Sequence, residues 1–169
     1  MKGTKNKKVT LRYLPKSLTR KDRIKQYKML QKSRRMYKTH KYYTRKKVAS
    51  FHSKESQHSK DAKKMYNVET IGATNELAIK TGCSKQALAK IINKGEGAYF
   101  SSGSRPNQTA QSWGIARLAS AITSGKAAAV DYNILEKGCK PNSKALLLAK
   151  KSRKKYGYGH RRVPKTRVY

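Results

Sequence analysis

The helical character of this chain is clearest in residues 77–93, which read LAIKTGCSKQALAKIIN. Ala78 and Gly82 stand four residues apart, Ser84 follows, and apolar side chains then recur at helical spacing. A small alanine lets two helices approach closely, and glycine accepts the positive φ of a tight turn. The pattern is typical of a helix-turn-helix in which Ser84 caps the second helix.

Four polar side chains of that second helix are candidates for contact with nucleic acid. In a unit that reads DNA, Lys85, Gln86 and Lys90 occupy positions that reach base edges. Lys94 follows one turn later and is expected near a phosphate. The same residues also fit a helical hairpin whose role is purely structural, and this alternative stays open.

Capping residues and glycine stop signals predict further helices on both sides of this unit. Thr19, with Asp22 three residues later, resembles a capping box ahead of a helix that extends to about Tyr37. Gly95 is expected to end the second helix of the hairpin. The other predicted helices cover residues 59–66, 76–81, 110–123 and 144 onward, with a short helical turn between residues 131 and 138.

No run of alternating apolar and polar residues occurs after residue 14, so no strand is predicted there. Residues 1–18 are expected to be extended. The predicted fold class is therefore all-α, with a small helical core made of the helix-turn-helix-like hairpin and two further helices. Extended basic arms are expected at the N- and C-termini.

The charge is very unevenly distributed along the chain. The 169 residues include 42 Lys and Arg against 8 Asp and Glu, a net charge of +34. Residues 1–66 carry a net +20, residues 67–149 only +5, and residues 150–169 another +9. We therefore predict a basic, Tyr-rich N-terminal arm with one or two helices (1–66), a compact helical domain (67–149) and a basic C-terminal tail (150–169). Such a charge implies a polyanionic partner.

Nine of the eleven tyrosines lie in the two predicted arms, interleaved with Lys and Arg. Basic side chains neutralise phosphates, and tyrosine rings stack on bases. The same rings can instead anchor the arms on a protein surface. The residues predicted to make the arm contacts are Tyr42, Tyr43, Arg45, Arg153, Arg161 and Arg162.

Residues 94–109 form a segment rich in Gly and Ser that leads into the helix predicted at 110–123. Backbone N–H groups at a helix N-terminus, with Arg105 as a fork-shaped donor, are suited to hold an anion. A rigid connector in which Arg105 pairs with a carboxylate such as Asp131 explains the same residues, and we prefer it. Arg117, in the following helix, is a second candidate for contact with an anion or a partner.

The sequence contains no complete motif of the enzyme classes whose signatures it partly resembles. The Gly95-Glu96-Gly97 run lacks the third glycine of a dinucleotide loop, and Gly125-Lys126 is not followed by Ser or Thr. The carboxylates are dispersed, and the four histidines lie in the predicted arms without cysteines at zinc spacing. We therefore expect no catalytic residue, no cofactor, no metal site and no small-molecule substrate.

Two further classes are excluded by the same sequence. No apolar run approaches the ~18–20 residues of a membrane span. Cys83 and Cys139 are too few for a disulfide framework, so we expect reduced thiols in a reducing compartment.

The segments 95–118 and 125–131, which include Gly95-Glu96-Gly97-Ala98-Tyr99 and Gln111-Ser112-Trp113, carry a resemblance. They resemble a small domain of unknown function found in large nucleocytoplasmic DNA viruses, including those of algae, and in some tailed phages. Residues 13–19 and 42–45 are similar to viral members too. The resemblance implies viral origin and no particular reaction.

From these observations we expect a non-enzymatic virion structural protein, a minor capsid protein on the interior side of the capsid. Its arms would bind neighbouring capsid proteins, internal nucleic acid or both, and it would occupy the host cytoplasm or nucleus before assembly. The main alternative is a helix-turn-helix DNA-binding protein for viral nucleoid compaction or regulation. A ribosome-associated protein also explains the basic arms, but not the central motif.

Overall fold

The computed structural model describes residues 7–159 and 163–169. Within these residues the protein is mostly helical, with eight α-helices and one two-stranded antiparallel sheet. In chain order the elements are β1 (Lys8–Thr10), a 3-10 helix (Leu11–Tyr13), α1 (Arg20–Lys38), α2 (Gln57–Tyr66), α3 (Asn75–Thr81), α4 (Lys85–Ser101), α5 (Ala110–Ala121), α6 (Lys126–Val130), α7 (Tyr132–Gly138), α8 (Lys144–Tyr156) and β2 (Lys165–Arg167). The 3-10 helix lies in the segment that was expected to be extended.

The chain divides into two compact units. The first, which we call the sheet unit, comprises residues 1–54, 97–110 and 162–169. The second, the helical unit, comprises residues 55–96 and 111–161. The domain boundaries expected after residues 66 and 149 therefore both lie inside the helical unit.

The sheet unit brings together two strands that are far apart in the sequence. β1 pairs with β2 in the register Lys8–Arg167, Val9–Thr166 and Thr10–Lys165. Val9 and Val168 are buried. α1 begins where Thr19 accepts a hydrogen bond from the Asp22 amide, which confirms Thr19 as the cap. The reciprocal half of the predicted capping box is not formed, because the Thr19 amide donates to the Ser50 hydroxyl and the Asp22 carboxylate accepts from Ser50. The expectation of no strand after residue 14 was wrong, because β2 has only three residues and is defined by its distant partner rather than by alternation.

The helical unit encloses one apolar core. Leu77, Leu88, Ile91, Leu118, Ile122 and Leu135 are all fully buried in it. Side-chain caps begin several of its helices: Ser56 accepts from the Ser59 amide at α2, and Ser143 accepts from the Leu146 amide at α8. These caps agree with the predicted helices to within two residues. At α3 the cap is Thr74 rather than the predicted Asn75.

Gly95 does not end α4, which continues to Ser101. Its missing side chain serves packing instead. A Cβ atom at Gly95 would lie 2.6 Å from the Gly114 Cα in α5, and one at Gly114 would lie 2.5 Å from the Ile92 carbonyl oxygen. The two glycines let α4 and α5 approach backbone to backbone, so the prediction of a stop at Gly95 was wrong.

Cys83 and Cys139 form a disulfide, contrary to the expected reduced thiols. The two residues also face each other as an isolated antiparallel bridge between the α3–α4 turn and the end of α7. They are 56 positions apart in sequence, so the pairing depends on the tertiary fold. Among the described residues no helix is long and apolar enough to cross a membrane.

Candidate functional site

The turn between α3 and α4 presents polar side chains at its surface. Gly82 ends α3 with φ +75°, and Ser84 begins α4 by accepting a hydrogen bond from the Ala87 amide at 3.1 Å. Lys85, Gln86 and Lys90 are exposed. Gln86 and Lys90 are four residues apart and therefore lie on the same side of α4. These three predicted contact residues are available to a partner.

Lys94 and Arg117 are engaged by one carboxylate. Asp131 is completely buried and accepts two hydrogen bonds from Arg117, from Nε at 2.7 Å and from the guanidinium terminus at 2.8 Å. The Lys94 ammonium lies 3.1 Å from the same carboxylate. The pair suggested for Asp131 and Arg105 is therefore not formed, and Arg105 is exposed. The triad ties α4 and α5 to the junction of α6 and α7.

Arg45 has an internal position rather than the arm contact predicted for it. Its side chain is 6% exposed and donates to the Ser33 hydroxyl, the Tyr99 carbonyl and the Ser104 hydroxyl at 2.8–2.9 Å. The guanidinium also lies 3.8 Å from the centre of the Tyr99 ring. Burial lowers the pKa of Arg45 from its usual value. Sequence reasoning missed this role because nothing local distinguishes Arg45 from the exposed cations around it.

The Gly- and Ser-rich segment before α5 is occupied by internal contacts of the sheet unit. Ser104 accepts from Arg45, and the Asn107 side chain accepts from the Val48 amide at 2.7 Å. Asn107 also donates to the Val48 and Phe51 carbonyl oxygens. These contacts are of the kind expected for a connector, but the Arg105–Asp131 pair that this interpretation included is not formed.

Four aromatic rings lead from the interior of the sheet unit to its surface, and we call them the aromatic ladder: Tyr99, Phe100, Tyr42 and Tyr37. Tyr99 is completely buried, and the Phe100 ring lies edge-on to it at 5.0 Å between centroids. Tyr42 lies 5.1 Å from Phe100 and 6.3 Å from Tyr37. Tyr42 is 66% exposed and Tyr37 38%. The last two rings are thus open to a partner.

The other predicted arm contacts lie on both units. Tyr43 is half-buried, with the Lys32 ammonium 4.4 Å from its ring centre. Arg153 lies between two rings of the helical unit, 4.8 Å from Tyr132 and 4.2 Å from Tyr158. Arg161 and Arg162 lie outside the described residues.

The charge separates sharply between the two units. The sheet unit contains 24 Lys and Arg and one acidic side chain, Asp22, whereas the helical unit contains 18 and 7. Asp22 accepts from both the amide and the hydroxyl of Ser50, at 2.8 and 2.6 Å. These hydrogen bonds lower the pKa of its carboxyl group. The sheet unit therefore has almost no negative charge with which to offset its cations.

One comparison with known proteins gives a match. No curated protein and no solved structure is significantly similar to the chain. A family of unknown function, DUF5824, matches residues 10–142, from the end of β1 to just before α8. This span includes every segment that carried the resemblance to a small domain of unknown function, namely residues 13–19, 42–45, 95–118 and 125–131. Since the match covers more than half of the 169 residues, the chain belongs to the DUF5824 family of unknown function.

Proposed function

We propose that this protein is a non-enzymatic component of a virus particle that binds nucleic acid through its basic surface. The observation that carries the proposal is the charge imbalance. Eight carboxylates cannot offset 42 Lys and Arg side chains, whatever pairs they form. A chain with this much uncompensated charge is most stable beside a polyanion. The viral assignment rests on the resemblance of residues 95–131 to a domain of large DNA viruses and phages.

The distribution of the charge supports nucleic acid as that polyanion. In the sheet unit, 24 basic side chains accompany a single acidic one. Lysine and arginine neutralise phosphates and release condensed counterions, which favours binding to any sequence. β1 pairs with β2 in this unit, with Val9 and Val168 buried, so the exposed cations Lys8, Lys165 and Arg167 belong to a folded surface.

Competition between two polyanions tests this proposal. The protein is bound to a fluorescently labelled DNA duplex at low salt, and unlabelled DNA or polyaspartate is added at equal total charge. We expect unlabelled DNA to displace the label and polyaspartate to displace it much less effectively. Equal displacement would show that the surface recognises any acidic chain, as a surface that binds acidic proteins would.

A finer version of the proposal assigns the α3–α4 pair a helix-turn-helix role. Its support is the exposure of Lys85, Gln86 and Lys90 beyond the left-handed turn at Gly82. Replacing Lys85 and Gln86 by Ala should then weaken the protein's preference for one DNA sequence over another. A good contact to a base edge favours the right base over a wrong one by about 1–3 kcal/mol. Replacing Lys137 and Lys140, which are also exposed in the helical unit, is the matched control. Unchanged preference in the first variant would leave only sequence-independent binding.

A second candidate function is that of a minor capsid protein on the interior side of the capsid. The observation that favours it is the exposure of Tyr37 and Tyr42, because aromatic side chains are enriched at protein interfaces. Fractionation of purified particles separates the candidates. Retention in the shell after removal of the genome supports the capsid role, and loss together with the DNA supports the nucleic-acid role.

A further inference from the structure

The exposed end of the aromatic ladder has a more specific use than general attraction to phosphate. We propose that Tyr42, with Tyr37 beside it, is a stacking site for unpaired bases of single-stranded nucleic acid. This inference rests on the proposed nucleic-acid-binding function and names the form of the ligand. Three features of Tyr42 support this role: the way the ring is held, its accessibility and the charge around it.

Tyr42 is held in place by the backbone that follows α1. His40 has φ +58° and donates its amide to the Tyr37 carbonyl oxygen at 3.0 Å, and the Lys41 amide donates to Met36 at 2.9 Å. This pair of hydrogen bonds is the Schellman motif, which turns the chain back at the end of a helix. It returns the chain so that the Tyr42 ring lies beside Tyr37.

The ring is also supported from behind. Phe100 packs against Tyr42 on one side and contacts the buried Tyr99 ring edge-on. The Tyr99 hydroxyl accepts a hydrogen bond from the Arg45 amide at 2.9 Å. Arg45 itself is buried and covers the Tyr99 ring. A ring supported in this way has little freedom left to lose when a ligand stacks on it, and such preorganisation favours binding.

Tyr42 is accessible to a planar ligand. The residue is 66% exposed although its ring lies 5.1 Å from the Phe100 ring and 6.3 Å from the Tyr37 ring, measured between centroids. Every base has a π-face, so a ring of this kind binds bases without regard to sequence. Bases in a duplex are already stacked within it, whereas bases of a single strand are available. The geometry therefore favours single strands.

The positive charge around the Tyr37 and Tyr42 rings favours an anionic partner. Lys38 and Lys41 adjoin the two tyrosines in the chain, and both are exposed. The single acidic side chain of the sheet unit, Asp22, is engaged by Ser50. Aromatic side chains beside a cationic backbone-binding surface are the combination by which proteins bind single-stranded nucleic acid without reading its sequence.

The test compares the wild-type protein with three variants on two ligands, a labelled oligo(dT) and a duplex of the same length, at one low salt concentration. Tyr42→Leu keeps an apolar cover over Phe100 but removes the ring. Tyr42→Phe keeps the ring. Tyr169→Leu is the matched control, because Tyr169 belongs to the same unit and is 52% exposed.

We expect Tyr42→Leu to lower affinity for the single strand about five-fold or more, the range given by loss of one base–aromatic stack. Affinity for the duplex should not change, and Tyr42→Phe and Tyr169→Leu should behave as the wild type. Unchanged single-strand affinity in Tyr42→Leu would overturn the inference, since the ring would then only cover Phe100. An equal loss for both ligands would overturn it too.

A second measurement uses the wild-type protein alone. An oligonucleotide containing 2-aminopurine should change its fluorescence on binding if a base stacks on a tyrosine, and no change on binding would contradict the stacking site. If the wild-type protein binds neither ligand, the proposed function itself fails. If it binds both and Tyr42→Leu has no effect, only this inference fails.

Discussion

Two buried charges illustrate how single residues organise this protein. Among the residues that the structure describes, Arg45 has no carboxylate partner, and its guanidinium is satisfied by three neutral oxygen atoms and the face of Tyr99. Asp131 has two cationic partners and is completely buried. Burial of an unpaired charge costs far more than burial of a paired one. Each buried charge therefore holds in place the chain segments that supply its hydrogen-bond partners.

Asp131→Asn tests the importance of the buried triad. The change leaves Arg117 without its anionic partner, and breaking a buried pair typically costs about 3–5 kcal/mol. Since Lys94 is half-exposed and water can solvate it, we expect a loss near the lower end, about 3 kcal/mol of unfolding free energy. Denaturant unfolding measures the difference. Glu136→Gln, at an exposed carboxylate of the same unit, should change stability by less than about 0.5 kcal/mol.

A loss below about 1 kcal/mol for Asp131→Asn would contradict this account of the triad. It would mean that the asparagine amide and the two cations find other partners at little cost.

At the scale of elements, the crossing of α4 and α5 depends on a pair of glycines. Gly95 and Gly114 lie in backbone contact, where an added Cβ atom at either position would collide with backbone atoms of the other helix. Backbone atoms of packed helices cannot move aside as a flexible side chain can. The contact therefore has no room for any side chain at these positions.

Two substitutions in α4 should have opposite effects on stability. Gly95→Ala should destabilise the protein by about 1–3 kcal/mol through overpacking, despite the better helix propensity of alanine. Gly97→Ala is the matched control, because a Cβ atom there would meet nothing within 4 Å. The control should stabilise the helix by about 1 kcal/mol. Thermal unfolding measures both, and stabilisation by both variants would refute the close helix crossing.

The same elements show what the sequence could and could not predict. The starts of α1 and α8 follow from Thr19 and Ser143, because a side-chain cap is a local interaction between residues three positions apart. Glycine often ends helices, so the sequence predicts a helix end at Gly95. The observed packing role of Gly95 depends on Gly114 in another helix, which no local pattern shows. β2 and the Cys83–Cys139 disulfide are equally non-local, so no local pattern reveals them.

The residues of the candidate site also differ in whether the sequence alone could predict their positions. The exposure of Lys85, Gln86 and Lys90 follows from their spacing on an amphipathic helix. The internal use of Lys94 and Arg117 depends on Asp131, which is far away in sequence. The aromatic ladder combines residues 37 and 42 with residues 99 and 100, so the sequence indicated its tyrosines but not their arrangement.

At the scale of the whole molecule, the disulfide and the charge distinguish the two units. The disulfide lies in the helical unit and closes a long loop between residues separated by 56 positions. The charge is most concentrated in the sheet unit. Cross-linking stabilises a protein mainly by restricting its unfolded chain, by about 4 kcal/mol for a loop of this length.

Reduction should therefore weaken the fold. We expect a reducing agent to lower the unfolding free energy by about 2–4 kcal/mol, measured by denaturant unfolding with and without the agent. The double variant Cys83→Ser with Cys139→Ser should show the same loss without the agent and no further change with it. Equal stability of the oxidised and reduced wild type would contradict a structural role for the bond.

The most direct test of the proposed function is the salt dependence of DNA binding. A surface that contacts about six to ten phosphates should lose affinity by about 10³-fold or more between roughly 50 and 200 mM salt, with log K falling linearly against log[salt]. We predict this steep linear decrease for the wild-type protein, for both duplex and single strand. A loss of less than about ten-fold over the same range would show that few phosphates are neutralised, and would contradict nucleic acid as the partner of this charge.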